Sequence, residues 1–134
     1  VILVDAGPLV ALLSATDQHR KECVAALKRI REPLGTVWPA FTEAVHLLAS
    51  SPKAQQALLD QLTREAVALM PLDRRDAPRV AELMNRYSDR PMDLADAALV
   101  RIAEREGLST VFTIDRRDFE VYRLFGRKRF RIVP

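Results

Sequence analysis

Four carboxylates in this chain fall where α/β proteins place their chemistry. Asp5 closes the run Val1-Ile2-Leu3-Val4, and Asp115 closes Thr110-Val111-Phe112-Thr113-Ile114. Glu43 lies in the first turn of a helix that Pro39 opens, and Asp96 in the first turn of the helix leading into Thr110. In open α/β sheets, ligands collect beyond the carboxyl ends of the strands, where the strand order reverses. If the strands ending in Asp5 and Asp115 are neighbours there, all four acids face one cleft. Taken singly, Asp5 reads equally as a helix cap, and Glu43 as an anion favoured by the helix dipole. Gathered, they repel one another, and such a group persists when something cationic sits among them. Hard oxygen donors without Cys or His select Mg²⁺ or Mn²⁺. Such ions, singly or as a pair, activate water and neutralise charge developing in an in-line displacement at a phosphodiester.

Other residues compete for roles near this set. Thr113 lies two residues before Asp115, so its hydroxyl shares that residue's side of the strand and could bind a metal-bound water or a phosphate. Asp93 and Asp96 compete for the third acid; Asp93 reads better as the helix N-cap, with Asp96 three residues on in a box-like arrangement. His46, one turn after Glu43, reads as a surface or packing residue, and His19, among charged neighbours, as solvent-facing. Trp38, Tyr87 and the Phe residues lack the spacing of a base-stacking platform and are expected in the core. Cys23, on an apolar stripe, reads as an inert core thiol. The run Arg127-Lys128-Arg129, with Arg116, Arg117 and Arg123, reads either as a solvated edge or as a track for a nucleic-acid backbone flanking the cleft.

The elements that must position these residues follow from patterning. Val1–Val4 has the apolar, β-branched character of a strand buried on both faces, as in a parallel sheet covered by helices. A short apolar helix is expected over Pro8–Ala15, and a second from Thr16 or Asp17 to about Ile30. Thr36-Val37-Trp38 reads as a second strand, followed by a helix from Pro39 to about Ser50 with Phe41, Val45 and Leu48 on one face. Ser51-Pro52 opens a helix to about Glu65 with Leu58, Leu59 and Leu62 inward. Val67–Leu72 reads as a third strand. Asp73 or Asp76 caps a helix to about Tyr87, with Ala77, Val80, Met84 and Tyr87 on its stripe. Asp93 opens a helix from Leu94 to Glu106, terminated by Gly107. Thr110–Ile114 is a fourth strand and Arg129–Val133 a last one, separated by a short irregular or helical piece. Alternating strands and helices argue for one α/β/α domain over residues 1–134, with a mostly parallel central sheet of about five strands.

Composition sets outer bounds. The 134 residues are 49% hydrophobic and 29% charged, ordinary for a globular domain. No apolar run approaches the roughly 20 residues that span a bilayer, and no signal peptide is visible, so no membrane partner is expected. The chain opens without Met, and residues are expected ahead of Val1. The single Cys23 cannot form an internal disulfide, which fits a reducing cytoplasm. Net charge is +3, carried by 17 Arg and 4 Lys. Arg forks match phosphate oxygens, a weak pointer to nucleic acid.

The ordered set of strand-Asp, helix-Glu, Met92-Asp93-Leu94-Ala95-Asp96-Ala97-Ala98 and Thr113-Ile114-Asp115-Arg116-Arg117-Asp118-Phe119 resembles the PIN-domain ribonucleases. More narrowly, it resembles the VapC-type toxins of bacterial toxin–antitoxin pairs, over essentially the whole chain. The resemblance implies an Mg²⁺- or Mn²⁺-dependent endoribonuclease, and in-line attack by a metal-bound water would leave a 3′-hydroxyl and a 5′-phosphate. It implies catalytic roles for Asp5, Glu43, Asp96 and Asp115, metal ligation by Asp5, Asp96 and Asp115, and an accessory place for Asp118. It also implies a cognate antitoxin and a homodimer. One departure stands out: many relatives carry Ser or Thr shortly after the first Asp, where Ala6-Gly7 offer only backbone. A non-catalytic module of the same fold, binding RNA or protein, is the alternative. A haloacid-dehalogenase-like phosphatase wants an Asp at position 7, which is Gly, and a receiver domain wants a Lys closing a late strand, which is absent.

Overall fold

The apolar run at the start of the chain becomes the middle strand of a parallel sheet. The computed structural model of the protein describes all 134 residues. Strand β1 (Ile2–Val4), buried throughout, lies between β2 (Leu34–Thr36) and β4 (Thr110–Phe112). Outside these run β3 (Val67–Leu69) and β7 (Arg131–Val133), giving the order β3-β2-β1-β4-β7 with every pair parallel. The chain builds outward from β1 in one direction, then returns to the other side at β4. The β1/β4 junction is therefore the point where strand order reverses, and Asp5 stands directly beyond it. A separate antiparallel hairpin is made by β5 (Arg123–Leu124) and β6 (Lys128–Arg129).

Helices cover both faces, giving three α/β/α layers. On one face, α1 (Ala6–Leu13), α2 (Arg20–Arg29) and α4 (Pro52–Thr63) pack Leu9, Cys23 and Leu58 in a core with Ile2, Val4 and Phe112. On the other, α5 (Ala77–Arg86), α6 (Leu94–Glu106) and α7 (Arg116–Val121) pack Leu83, Leu99 and Phe119 in a core with Leu3 and Val111. Helix α3 (Trp38–Leu47) contributes Phe41 to the first core and Ala40 to the second. The caps are local: the Ser51 hydroxyl accepts from Ala54 N–H, Asp93 from Asp96 N–H, and Gly107 ends α6 at a left-handed φ of 69°. Asp73 and Asp76 form a reciprocal capping box before α5.

Two buried ion-pair groups fasten α5 to α6. Asp76 accepts from Arg101 and Arg105 at 2.8 and 2.9 Å, and Glu104 accepts twice from Arg79 at 2.8 Å. Burial works against both anions, but hydrogen bonds and guanidinium charges outweigh it and hold both carboxyls below their ordinary range. No helix is long and apolar enough to cross a membrane.

Several boundaries differ from expectation. The second strand is Leu34–Thr36, not Thr36–Trp38; Val37 caps α3 and Trp38 already lies inside it. Pro39 explains the shift, since it lacks an N–H and suits a helix's first turn. Trp38 is 53% exposed rather than core, and Phe125 is 64% exposed. Helix α1 begins at Ala6 rather than Pro8, because Asp5 caps it directly. Leu59 and Ala77 are exposed, while Leu83 takes the inward position in α5. The last strand is interrupted at Phe130, which turns into the core between β6 and β7.

Candidate active site

Asp5 is held at both carboxylate oxygens. Oδ1 accepts the Ala6 N–H at 2.8 Å, and Oδ2 accepts the Thr113 hydroxyl at 2.9 Å. The same Thr113 oxygen accepts the Asp115 N–H at 3.0 Å. One buried hydroxyl thus stitches the end of β1 to the turn after β4. Thr113 therefore spends its one proton on Asp5 and one lone pair on the Asp115 N–H, and keeps a second lone pair. Ala6-Gly7, beside Asp5, carry no hydroxyl. Gly7 could not carry one without rearrangement, since a Cβ there would stand 2.4 Å from Ile114 Cγ1.

The other acids gather around this stitch. Asp5 is only 3% exposed, and burial first, then the charges of Asp115 and Glu43, pushes it up to about 7 against the pull of its two hydrogen bonds. Asp96, in the first turn of α6, is pushed up to about 8 by burial, then by Asp5 and Asp93. The Tyr122 hydroxyl donates to Asp96 Oδ2 at 2.8 Å and partly offsets this. Glu43 and Asp115 are more exposed and also raised: burial leads, followed by Asp93 and Asp115 for Glu43, and by Asp118 and Asp93 for Asp115. His19 lowers Asp115 slightly, so it borders this end of the sheet, with its Nδ1 2.5 Å from Glu22.

Asp5, Glu43, Asp93, Asp96, Asp115 and Asp118 therefore share one electrostatic neighbourhood. No three of them close in tightly enough to hold a metal ion. Asp5 and Asp96 are fixed by Thr113 and Tyr122, whereas the carboxylates of Glu43 and Asp115 are exposed and make no hydrogen bond or ion pair. Asp93 serves as the α6 cap, and Asp118 is paired with Arg90 at 2.9 Å. Tyr122 and Arg90 had no signal in the sequence, because each meets its acid more than twenty-five residues away, across the fold. Arg123 donates to the carbonyls of Glu120, Val121 and Tyr122, capping the end of α7. Arg116 reaches the Pro134 carbonyl and Glu120, while Arg117 is exposed and makes no ion pair.

The match to the PIN domain family spans residues 2–124. This chain is a PIN domain. It is 26% identical to ribonuclease VapC26 of Mycobacterium tuberculosis over 135 residues, covering 99% of this chain and 100% of that one. The crystal structure of M. tuberculosis VapC20, described as a sarcin–ricin loop cleaving toxin, superposes with a TM-score of 0.76 at 17% identity, over 83% of this chain and 87% of that one. A toxin–antitoxin complex from Klebsiella pneumoniae gives 0.71 at 20% identity, over 90% and 92%. For this PIN domain those two likenesses establish the fold.

Proposed function

We propose that this PIN domain is a divalent-metal-dependent endoribonuclease, the toxin of a toxin–antitoxin pair. The observation that carries the reading is the pairing of a buried Asp5 with a half-buried Asp96, both braced by hydroxyls and both raised toward neutrality by burial and by neighbouring carboxylates. Holding two acids in that condition costs stability unless a cation relieves it. The donors are all oxygen, which fits Mg²⁺ or Mn²⁺. The named ribonuclease and toxin relatives support the same reading.

Asp5, Asp96 and Asp115 would hold the ion, and Asp115 would swing inward to do so. A divalent ion there supplies charge neutralisation at the phosphodiester and makes water more acidic. Thr113 fixes the Asp5 carboxylate, and Tyr122 fixes that of Asp96. Glu43, exposed and with a raised pKa, would take or return a proton. Cleavage through the RNA's own 2′-hydroxyl would want a base and an acid straddling the phosphate. Neither His19, engaged with Glu22, nor His46, exposed on α3, provides that pair. Hydrolysis by water leaves a 3′-hydroxyl and a 5′-phosphate.

The domain would act in the cytoplasm as a homodimer. A cognate antitoxin would restrain it by inserting an Arg or Lys among the acids. The reading is tested by incubating RNA with Mg²⁺, then with EDTA, and analysing the ends. Loss of RNA only with the ion, yielding 3′-hydroxyl ends, supports it. Fragments ending in 2′,3′-cyclic phosphate and formed in EDTA would overturn it. RNA bound but intact with Mg²⁺ would assign a non-catalytic binding module instead.

A further inference from the structure

The basic character of the chain is concentrated at one end. Residues 116–134 carry seven Arg or Lys and two acids, so the rest of the chain is net negative. Within this stretch, the β5–β6 hairpin exposes Arg127, Lys128 and Arg129, none of them in an ion pair. Arg123 stands directly across the hairpin from Arg129. Like charges in that position repel, and a ladder of two residues on each strand has little pairing to set against it.

The tip adds a second anomaly. Phe125 is 64% exposed and sits at a φ of 52°, a left-handed conformation that a bulky side chain rarely adopts. Its position is enforced. The Phe125 N–H donates at 2.5 Å to Glu104, a buried carboxylate itself gripped by Arg79. A buried charge is thus spent on presenting an aromatic ring to solvent between cations. Ring faces that stack on bases, set beside cations that track phosphates, are how proteins hold single-stranded nucleic acid.

We infer that the β5–β6 hairpin is a docking surface for single-stranded RNA, with Phe125 stacked on a base and Arg127, Lys128 and Arg129 on the flanking phosphates. The inference rests on the ribonuclease reading for its choice of nucleic acid. The hairpin is linked to the acids: Tyr122, just before β5, bonds Asp96, while the tip bonds Glu104 eight residues further along α6, about 12 Å at 1.5 Å per residue. RNA seated on the hairpin reaches the acids within a few nucleotides.

The test is anisotropy of a labelled single-stranded RNA with the full chain in EDTA, over a series of salt concentrations. Phe125→Ala should weaken binding about tenfold without changing the salt slope. Phe125→Leu should do the same, since stacking needs the ring. Lys128→Gln with Arg129→Gln should make the slope shallower by about 1.4, two phosphate contacts at about 0.7 each. Unchanged affinity and slope in variants that unfold at the wild-type temperature would overturn the inference, as would a wild-type chain that does not bind the strand. So would a Phe125→Ala protein that loses self-association by light scattering yet keeps its RNA affinity, for the hairpin would then be a protein interface. Because binding is read in EDTA, failure of the nuclease reading shows separately, as RNA that stays intact with Mg²⁺.

Discussion

At the scale of single residues, the site depends on two hydroxyls that carry no charge. Tyr122 is buried, and its hydroxyl holds one oxygen of Asp96. A donor behind a ligating carboxylate fixes its orientation, and its loss typically costs about 10- to 100-fold in metal affinity or activity. Tyr122→Phe should therefore weaken Mn²⁺ binding, measured by calorimetry, by that factor while leaving the core packed. Affinity within twofold of the parent would mean that Asp96 does not hold the ion. Asp96→Asn should reduce cleavage at least about 100-fold, the scale of losing a charge-stabilising group, with metal-free stability unchanged or higher because a repelling charge is gone. A large loss of stability would recast Asp96 as structural. Asp93→Asn should be milder, since Asn caps a helix about as well as Asp.

At the scale of elements, the sequence showed most clearly what is written locally. The β-branched run before Asp5, the Ser51-Pro52 start and the Asp93…Gly107 bounds of α6 each follow from neighbours in the chain. The positions of the acids at element ends were legible for the same reason. What stayed hidden needed partners far away. Tyr122 falls in the stretch read only as a short irregular or helical piece, and Glu104 inside a helix whose pattern does not single it out; their partners Asp96, Arg79 and Phe125 meet them only in the fold. Trp38 misled because Val37-Trp38 is β-prone, yet Pro39 claims the stretch for α3. Gly7 was equally opaque: its bareness matters only because α1 lies against Ile114. Gly7→Ala would force Ile114 Cγ1 aside from 2.4 Å and should cost about 1–3 kcal/mol, the usual range for overpacking. Adding Ile114→Ala should recover part of that loss in urea denaturation. Strictly additive losses would show that the contact is not what constrains α1.

For the whole molecule, the balance of carboxylates fixes how stability responds to pH. In the folded protein Asp5 is raised to about 7 and Asp96 to about 8, whereas both titrate near 3.8 when unexposed to the fold. Between about pH 4 and pH 8 the folded state keeps protons that the unfolded chain has released, so the metal-free fold loses stability as pH rises and levels off above about 8. Asp76 and Glu104 act in the opposite sense. Their lowered values contribute stability that is present above the ordinary carboxylate range and is lost on acidification through it. A divalent ion at the proposed site would bind only its deprotonated form, and binding to the folded state alone would stabilise by mass action. Urea midpoints in EDTA should therefore fall from about pH 5 to pH 8, and excess Mn²⁺ should reduce or reverse that fall by acting mainly at the upper end. Asp96→Asn should flatten the EDTA profile and blunt the Mn²⁺ response together. A midpoint that climbs from pH 5 to 8 in EDTA would contradict the burial of these acids, and an Mn²⁺ effect equal at both ends would place the ion elsewhere.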